Sequence, residues 1–158
     1  MAPVATQHLS DVELATQPAA YWTGVAYQAL IAFTRARHAE FGFTQPQFWL
    51  LRNLSGNDIS PDGHGMTIPE LEVAMSTYLR SEDDLEAEAR VLLKRGWLTR
   101  DDRERLWITK AGEAARLDLK QHAPAIRARI HHGIDDADYV TALKVLRQMI
   151  RNTDGPAA

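Results

Sequence analysis

"LLKRGWLTRDDRERLWITKAGEAAR", residues 92–116, is the stretch on which the fold turns. Its first residues close an amphipathic helical run, and Gly96 supplies the backbone freedom that ends such a helix. "WLTR" and "RLWIT" are then two short β-prone runs around the polar "DDRE", which predicts a small hairpin. Thr109 stands where an N-cap belongs and opens another helix.

Upstream, "SEDDLEAEAR", residues 81–90, pairs Ser81 with Asp84 in a capping signature and predicts a helix from there to Arg95. Leu85, Ala89 and Leu92 form its inward face. Thr44 in "TQPQ" and Thr67 in "TIPE" carry the same signature, each with a proline in the first turn, and start two further short helices. "SGNDISPDGHG" between those helices is too rich in Gly, Pro, Asn and Asp for a regular element and predicts an exposed loop. Residues 1–17 read as a flexible arm. Pro18 begins a long helix to about Glu40, with Trp22, Ala26, Ala29, Leu30 and Phe33 at helical spacing and Gly42 as its stop. The helix after Thr109 is expected to reach His132. Past Gly133, Asp135 caps a last helix with Tyr139, Leu143, Leu146 and Ile150 in phase.

Short helix, turn, second helix, hairpin is the order of a winged helix-turn-helix. The fold class expected is therefore mostly α with a small β-hairpin wing. Residues 44–109 form the winged helix, 18–43 and 110–151 a helical dimerisation region, and 152–158 a flexible tail. Long amphipathic helices at both ends carry more apolar surface than one winged helix covers, and a second copy of the chain is the simplest cover.

Composition bounds the partners. The 158 residues carry a formal charge of −3, so any attraction for nucleic acid must come from a local patch. There is no cysteine, which removes disulfides, thiolate metal sites and cysteine nucleophiles. No apolar run approaches the roughly 20 residues that span a bilayer, so no membrane partner is expected and a cytoplasmic location is the default. His122, His131 and His132, or His64 with Asp58 and Asp62, are the best histidine clusters. His122 and His131 fall on opposing faces of a helix, and neither set has metal-ligand spacing. No metal, no cofactor and no catalytic residue is expected, because the chain has no phosphate-cradling glycine loop, nucleophile elbow or H-E-x-x-H.

"FTQPQFWLLRNL", "TIPELEVAM", "LLKRGWL" and "RLWITKAGEAAR" together resemble the MarR family of bacterial transcriptional regulators, over about residues 20–150. The resemblance implies a homodimer interlocked by its end helices, a recognition helix for the major groove of double-stranded DNA and a wing for the minor groove. It also implies a small-molecule effector, aromatic or acidic, held between the dimer helices and the winged helix. Carried onto this chain, the DNA-binding positions are Arg80, Ser81, Asp83, Ala87, Arg90 and Lys94 around the recognition helix, and Arg100, Asp101, Arg103 and Arg105 on the wing. The ligand-binding positions are Tyr21, Trp22, His38, Phe48, Trp49 and Arg52, with Arg52 able to fork a carboxylate.

Two departures from the family pattern stand out. Where the family has Ser, Thr, Asn, Gln or Arg, the helix start here carries Glu82, Asp83, Asp84 and Glu86, and carboxylates facing phosphates oppose binding. One acid can accept a hydrogen bond from cytosine, and acids also suit the positive end of a helix. The wing is short, although Asp101 and Arg103 keep a D-x-R resembling the arrangement that orients a groove-inserting arginine. From Lys94 to Lys120 eight basic and five acidic residues leave a modest positive patch. The alternative is a winged-helix dimer that has left DNA and serves as a small-molecule-binding protein or cofactor-free enzyme.

Overall fold

The computed structural model describes residues 8–153. The chain divides into two compact units, one up to His122 and one from Ala123 onward. Residues 154–158 of the expected tail and the first part of the expected arm lie outside the described residues, whereas Asn152, placed in that tail, is the last residue of a helix. Within the arm a helix appears where flexibility was expected: α1 (Asp11–Ala15) is closed by a reciprocal box between Ser10 and Glu13. The Ser10 N–H donates to the Glu13 carboxylate at 2.8 Å.

The first unit continues with α2 (Ala19–Glu40), α3 (Gln45–Leu54), α4 (Ile68–Ala74) and α5 (Leu85–Lys94). Thr44 and Thr67 make the two capping boxes their sequences predict. Ser81 does not. The cap of α5 is Asp84, which accepts the Ala87 N–H at 2.9 Å, so the helix begins three residues later than the Ser81 signature suggests. Asp84 is a full N-cap by itself, and the Ser81 hydroxyl turns to Glu82 instead.

Past Gly96, at φ 72°, β1 (Leu98–Arg100) pairs antiparallel with β2 (Leu106–Ile108), Leu98 opposite Ile108. Met66 adds a third short rung: it exchanges both backbone hydrogen bonds with Leu106, at 3.1 and 2.8 Å. Leu50, Leu51, Leu54, Leu71, Leu92 and Leu106 are the centre of the core. Each is at most 1% exposed, and each such side chain contributes roughly 1.5–3 kcal/mol by leaving water. α6 (Lys110–Lys120) packs on α3 and starts at Thr109. Gly112 lies where a methyl group would collide with the Trp97 carbonyl, which brings α6 against the root of the wing.

The helix expected to run from Thr109 to His132 is broken. α6 stops at Lys120, and α7 (Ala123–Ile130) is a separate element of the second unit. Pro124 supplies the reason: a proline four residues after Lys120 lacks the N–H for its carbonyl and would press its ring against it. Gly133, at φ 75°, turns the chain into α8 (Asp136–Asn152). Asp135 occupies the cap position without a side-chain hydrogen bond. α8 buries none of its residues, and Val140, Leu143, Val145 and Met149 are all exposed.

Candidate nucleic-acid interface

α5 is amphipathic by placement. Leu85, Ala89 and Leu92 are buried, whereas Ala87, Arg90, Val91 and Lys94, spaced i, i+3, i+4 and i+7, form one exposed face. The acids around them point elsewhere. Asp83 is gripped by Arg35 of α2 through two hydrogen bonds of 2.7 Å, and also accepts the Arg80 N–H at 2.7 Å. Arg35 is fully committed there, donating also to the Tyr78 carbonyl and the Gln45 amide oxygen. That bonding to Arg35 holds the Asp83 carboxyl below its ordinary pKa.

Glu86 forks Arg100 of the wing at 3.0 and 2.9 Å, and Arg90 sits 3.5 Å from the same carboxylate. Its hydrogen bonds with Arg100 lower its pKa as well. Glu88 turns inward, accepting from the Thr44 hydroxyl at 3.0 Å and the Gln47 amide at 2.7 Å. Asp84 caps its own helix. Glu82 remains at the surface, its side chain 66% exposed. Two of the five acids are thus answered by arginines and two more accept hydrogen bonds within the fold, so the acidic run does not project from the helix as a block.

On the wing, Asp101 accepts the backbone N–H groups of Arg103 and Arg105, both at 2.9 Å, and the Trp107 indole N–H at 2.9 Å. Arg105 donates to the Gly65 carbonyl at 2.6 Å and pairs with Glu70 at 3.2 Å. Arg103 is exposed, and none of the ion pairs among the described residues involves it.

Neither family models nor curated proteins give a match to this chain. Solved structures do. A MarR-family transcriptional regulator from Silicibacter pomeroyi shares 23% identity over 92% of this chain and 96% of its own, with a TM-score of 0.57. The reduced form of MarR from E. coli shares 18% identity over 89% and 99%, with a TM-score of 0.64. Bordetella bronchiseptica BpsR, whose DNA binding is regulated by 6-hydroxynicotinic acid, shares 19% identity over 85% and 94%, with a TM-score of 0.61. The chain has the MarR fold.

Against the MarR expectation, the nominated residues divide. Ala87, Arg90 and Lys94 share the outer face of α5, and Ser81 is exposed ahead of it. Asp83 is not on that face: its side chain is 9% exposed and bonded to Arg35. The D-x-R works differently from expectation, since Asp101 holds the backbone of Arg103 and leaves its guanidinium out of the contact. Arg100 and Arg105 are present on the wing but paired to Glu86 and Glu70, and Arg80 lies 3.9 Å from Glu82.

The six ligand positions do not gather into one cleft within the chain. His38 and Phe48 are core residues, 5% and 7% exposed, packed with Phe43. Burial drives the His38 pKa down to about 4, with His122 and Arg35 adding to the effect. Tyr21 and Trp22 contact each other at the other end of α2, roughly 25 Å from His38 along the axis at 1.5 Å per residue. Trp49 stacks on Tyr78 at 3.9 Å, and the Arg52 guanidinium lies over the Trp49 ring at 4.5 Å. The Arg52 guanidinium is already paired with Asp58 at 3.1 Å, and Asp58 in turn holds the buried Arg116 at 3.0 Å. An incoming carboxylate would have to displace Asp58.

Among the described residues no group of three or more metal-binding side chains converges, and no helix is long and apolar enough to cross a membrane. His131 packs on Tyr139 and His64 on Trp107. Sequence reasoning passed over Arg35, Glu88 and Val91. Val91 had a signal, the i+4 spacing from Ala87; Arg35 had none, because its partner is 48 residues away.

Proposed function

We propose that the protein is a homodimeric DNA-binding transcriptional regulator whose DNA affinity is set by a small molecule. The observation that carries this reading is the outer face of α5: Ala87, Arg90, Val91 and Lys94 are exposed together, while Asp83 and Glu88 are bonded inward and Glu86 is held by Arg100 of the wing. Arg90 and Lys94 supply the cations that phosphates need, and Ala87 and Val91 the apolar contact that suits a thymine methyl. Arg103 extends the basic surface onto the wing. The exposed apolar residues of α8 support a second copy as partner, since α8 would otherwise leave Val140, Leu143, Val145 and Met149 in water. The likeness to BpsR supports an aromatic acid as effector.

The test is fluorescence anisotropy with DNA recovered by genomic pull-down, at stated salt. Arg90→Ala, Lys94→Ala and Arg103→Ala should each reduce the salt slope by about one unit. Absence of binding to any DNA at low salt would overturn the reading. A second reading, a small-molecule-binding protein that no longer engages DNA, is favoured by one observation: Arg100 and Arg105, two wing cations, are spent on Glu86 and Glu70.

A further inference from the structure

A cavity of about 480 Å³ opens between the end of α3, the loop after it, α4 and the root of the wing. Its size suits a small organic molecule. Ile59, Pro61, Met66 and Ala74 give it apolar walls. Asn53 is 6% exposed and lines it; its amide nitrogen is committed to the Trp49 carbonyl at 2.9 Å, while no donor among the described residues reaches its amide oxygen. An accessible acceptor on the cavity wall that no protein donor occupies suits a ligand that brings an N–H or O–H. Asp62 and Glu70 also line the cavity against Arg105, whose charge Glu70 already answers, so an anion is disfavoured.

We propose that this cavity is a binding site for a small neutral ring compound carrying one hydrogen-bond donor, distinct from the cleft expected between the dimer helices and the winged helix, and that its occupancy moves the wing. The mechanical link is short. Met66 forms part of the wall and is bonded on both sides to Leu106 of β2, and the neighbouring Gly65 carbonyl holds Arg105. A ring wedged against Met66 displaces the rung that fixes β2. Binding stands on the cavity alone; its effect on DNA rests on the regulator reading.

Phenol, anisole and benzoate are the probes, followed by ligand-observed NMR and by amide shifts of the full chain. Phenol should bind at millimolar concentration and shift the Gly65 and Met66 amides. Anisole, which has no donor, should bind about fivefold more weakly, the size of one lost hydrogen bond. Benzoate should not compete at this site. Ala74→Phe, which fills the cavity, should abolish phenol binding with folding intact by thermal melt. Ile59→Trp fills it from the opposite wall, and Asn53→Leu should bring phenol and anisole level. Equal binding of phenol and anisole to the parent, unmoved Gly65 and Met66 amides, or phenol binding retained in a folded Ala74→Phe or Ile59→Trp would each overturn the site. With DNA present, phenol should change the affinity of the parent and leave Ala74→Phe unaffected. A parent that binds phenol as described and no DNA at low salt refutes the regulator reading and leaves the site standing, whereas unchanged DNA affinity with phenol bound refutes the link to the wing.

Discussion

Arg35 and Asp83, 48 residues apart, are joined by a forked ion pair that ties the long helix α2 to the segment immediately before α5. Their side chains are 20% and 9% exposed, so the fork is shielded from water. It fixes where the exposed face of α5 begins.

Arg35→Ala should therefore cost about 3 kcal/mol in urea denaturation, because it leaves a buried carboxylate without its partner. The Asp83 carboxyl is held below its ordinary range by Arg35, so its contribution is complete above pH 4 and disappears as the pH falls through the lowered value. Parent and Asp83→Asn should converge in stability toward acid. A neutral Arg35→Ala at pH 7 would show that the fork contributes nothing.

Glu86→Gln should release Arg100 from its fork and remove a charge beside Arg90. Under the regulator reading, non-specific DNA binding should strengthen and its salt slope steepen by about one unit. The cost in stability should stay under about 1 kcal/mol, because both partners are partly exposed. Weaker binding would mean instead that Glu86 holds Arg100 in a productive position or reads a base.

His38 sets a different pH window. Its pKa, lowered by burial to about 4, lies below the ordinary value of 6.5, so the unfolded chain takes up this proton first. Its stabilising contribution is full above about 6.5 and declines as the pH drops toward 4. Urea midpoints measured across that interval should fall, and His38→Phe, which keeps the ring packing with Phe43 and Phe48, should flatten the decline. Identical profiles for parent and variant would place the titration elsewhere.

Leu143→Glu puts a charge among the exposed apolar residues of α8. If those residues meet a second copy, light scattering should show the mass halved at micromolar concentration, or the chain unfolded. A dimer of unchanged mass and melting temperature would move the interface away from Leu143.

What the sequence displayed was local. The Thr44 and Thr67 boxes, Gly96 with the hairpin after it, and the leucines of α5 each depend on residues within a few positions, and each stands where it was expected. Local patterns also misled. Ser81 looked like a cap because Asp84 follows at the right spacing, yet Asp84 serves alone, and the long pattern after Thr109 hid the break that Pro124 imposes. The site was less legible, since the fate of each acid depends on partners far along the chain: Arg35 for Asp83, Arg100 for Glu86, Thr44 and Gln47 for Glu88. Arg52 looked free for a ligand for the same reason, its neutralising Asp58 lying in a loop with no fixed geometry in sequence.

The pairing of Arg100 with Glu86 and of Arg105 with Glu70 has a consequence for anything that approaches from a distance. Each fork is a dipole with no net charge, and the potential of a dipole decays faster with separation than that of a single ion. A polyanion far from the wing feels little of these arginines and is not drawn in by them. Encounter would then be slow and only weakly accelerated at low salt, with discrimination arising at close range, after the forks open, in the lifetime of the complex more than in its rate of formation.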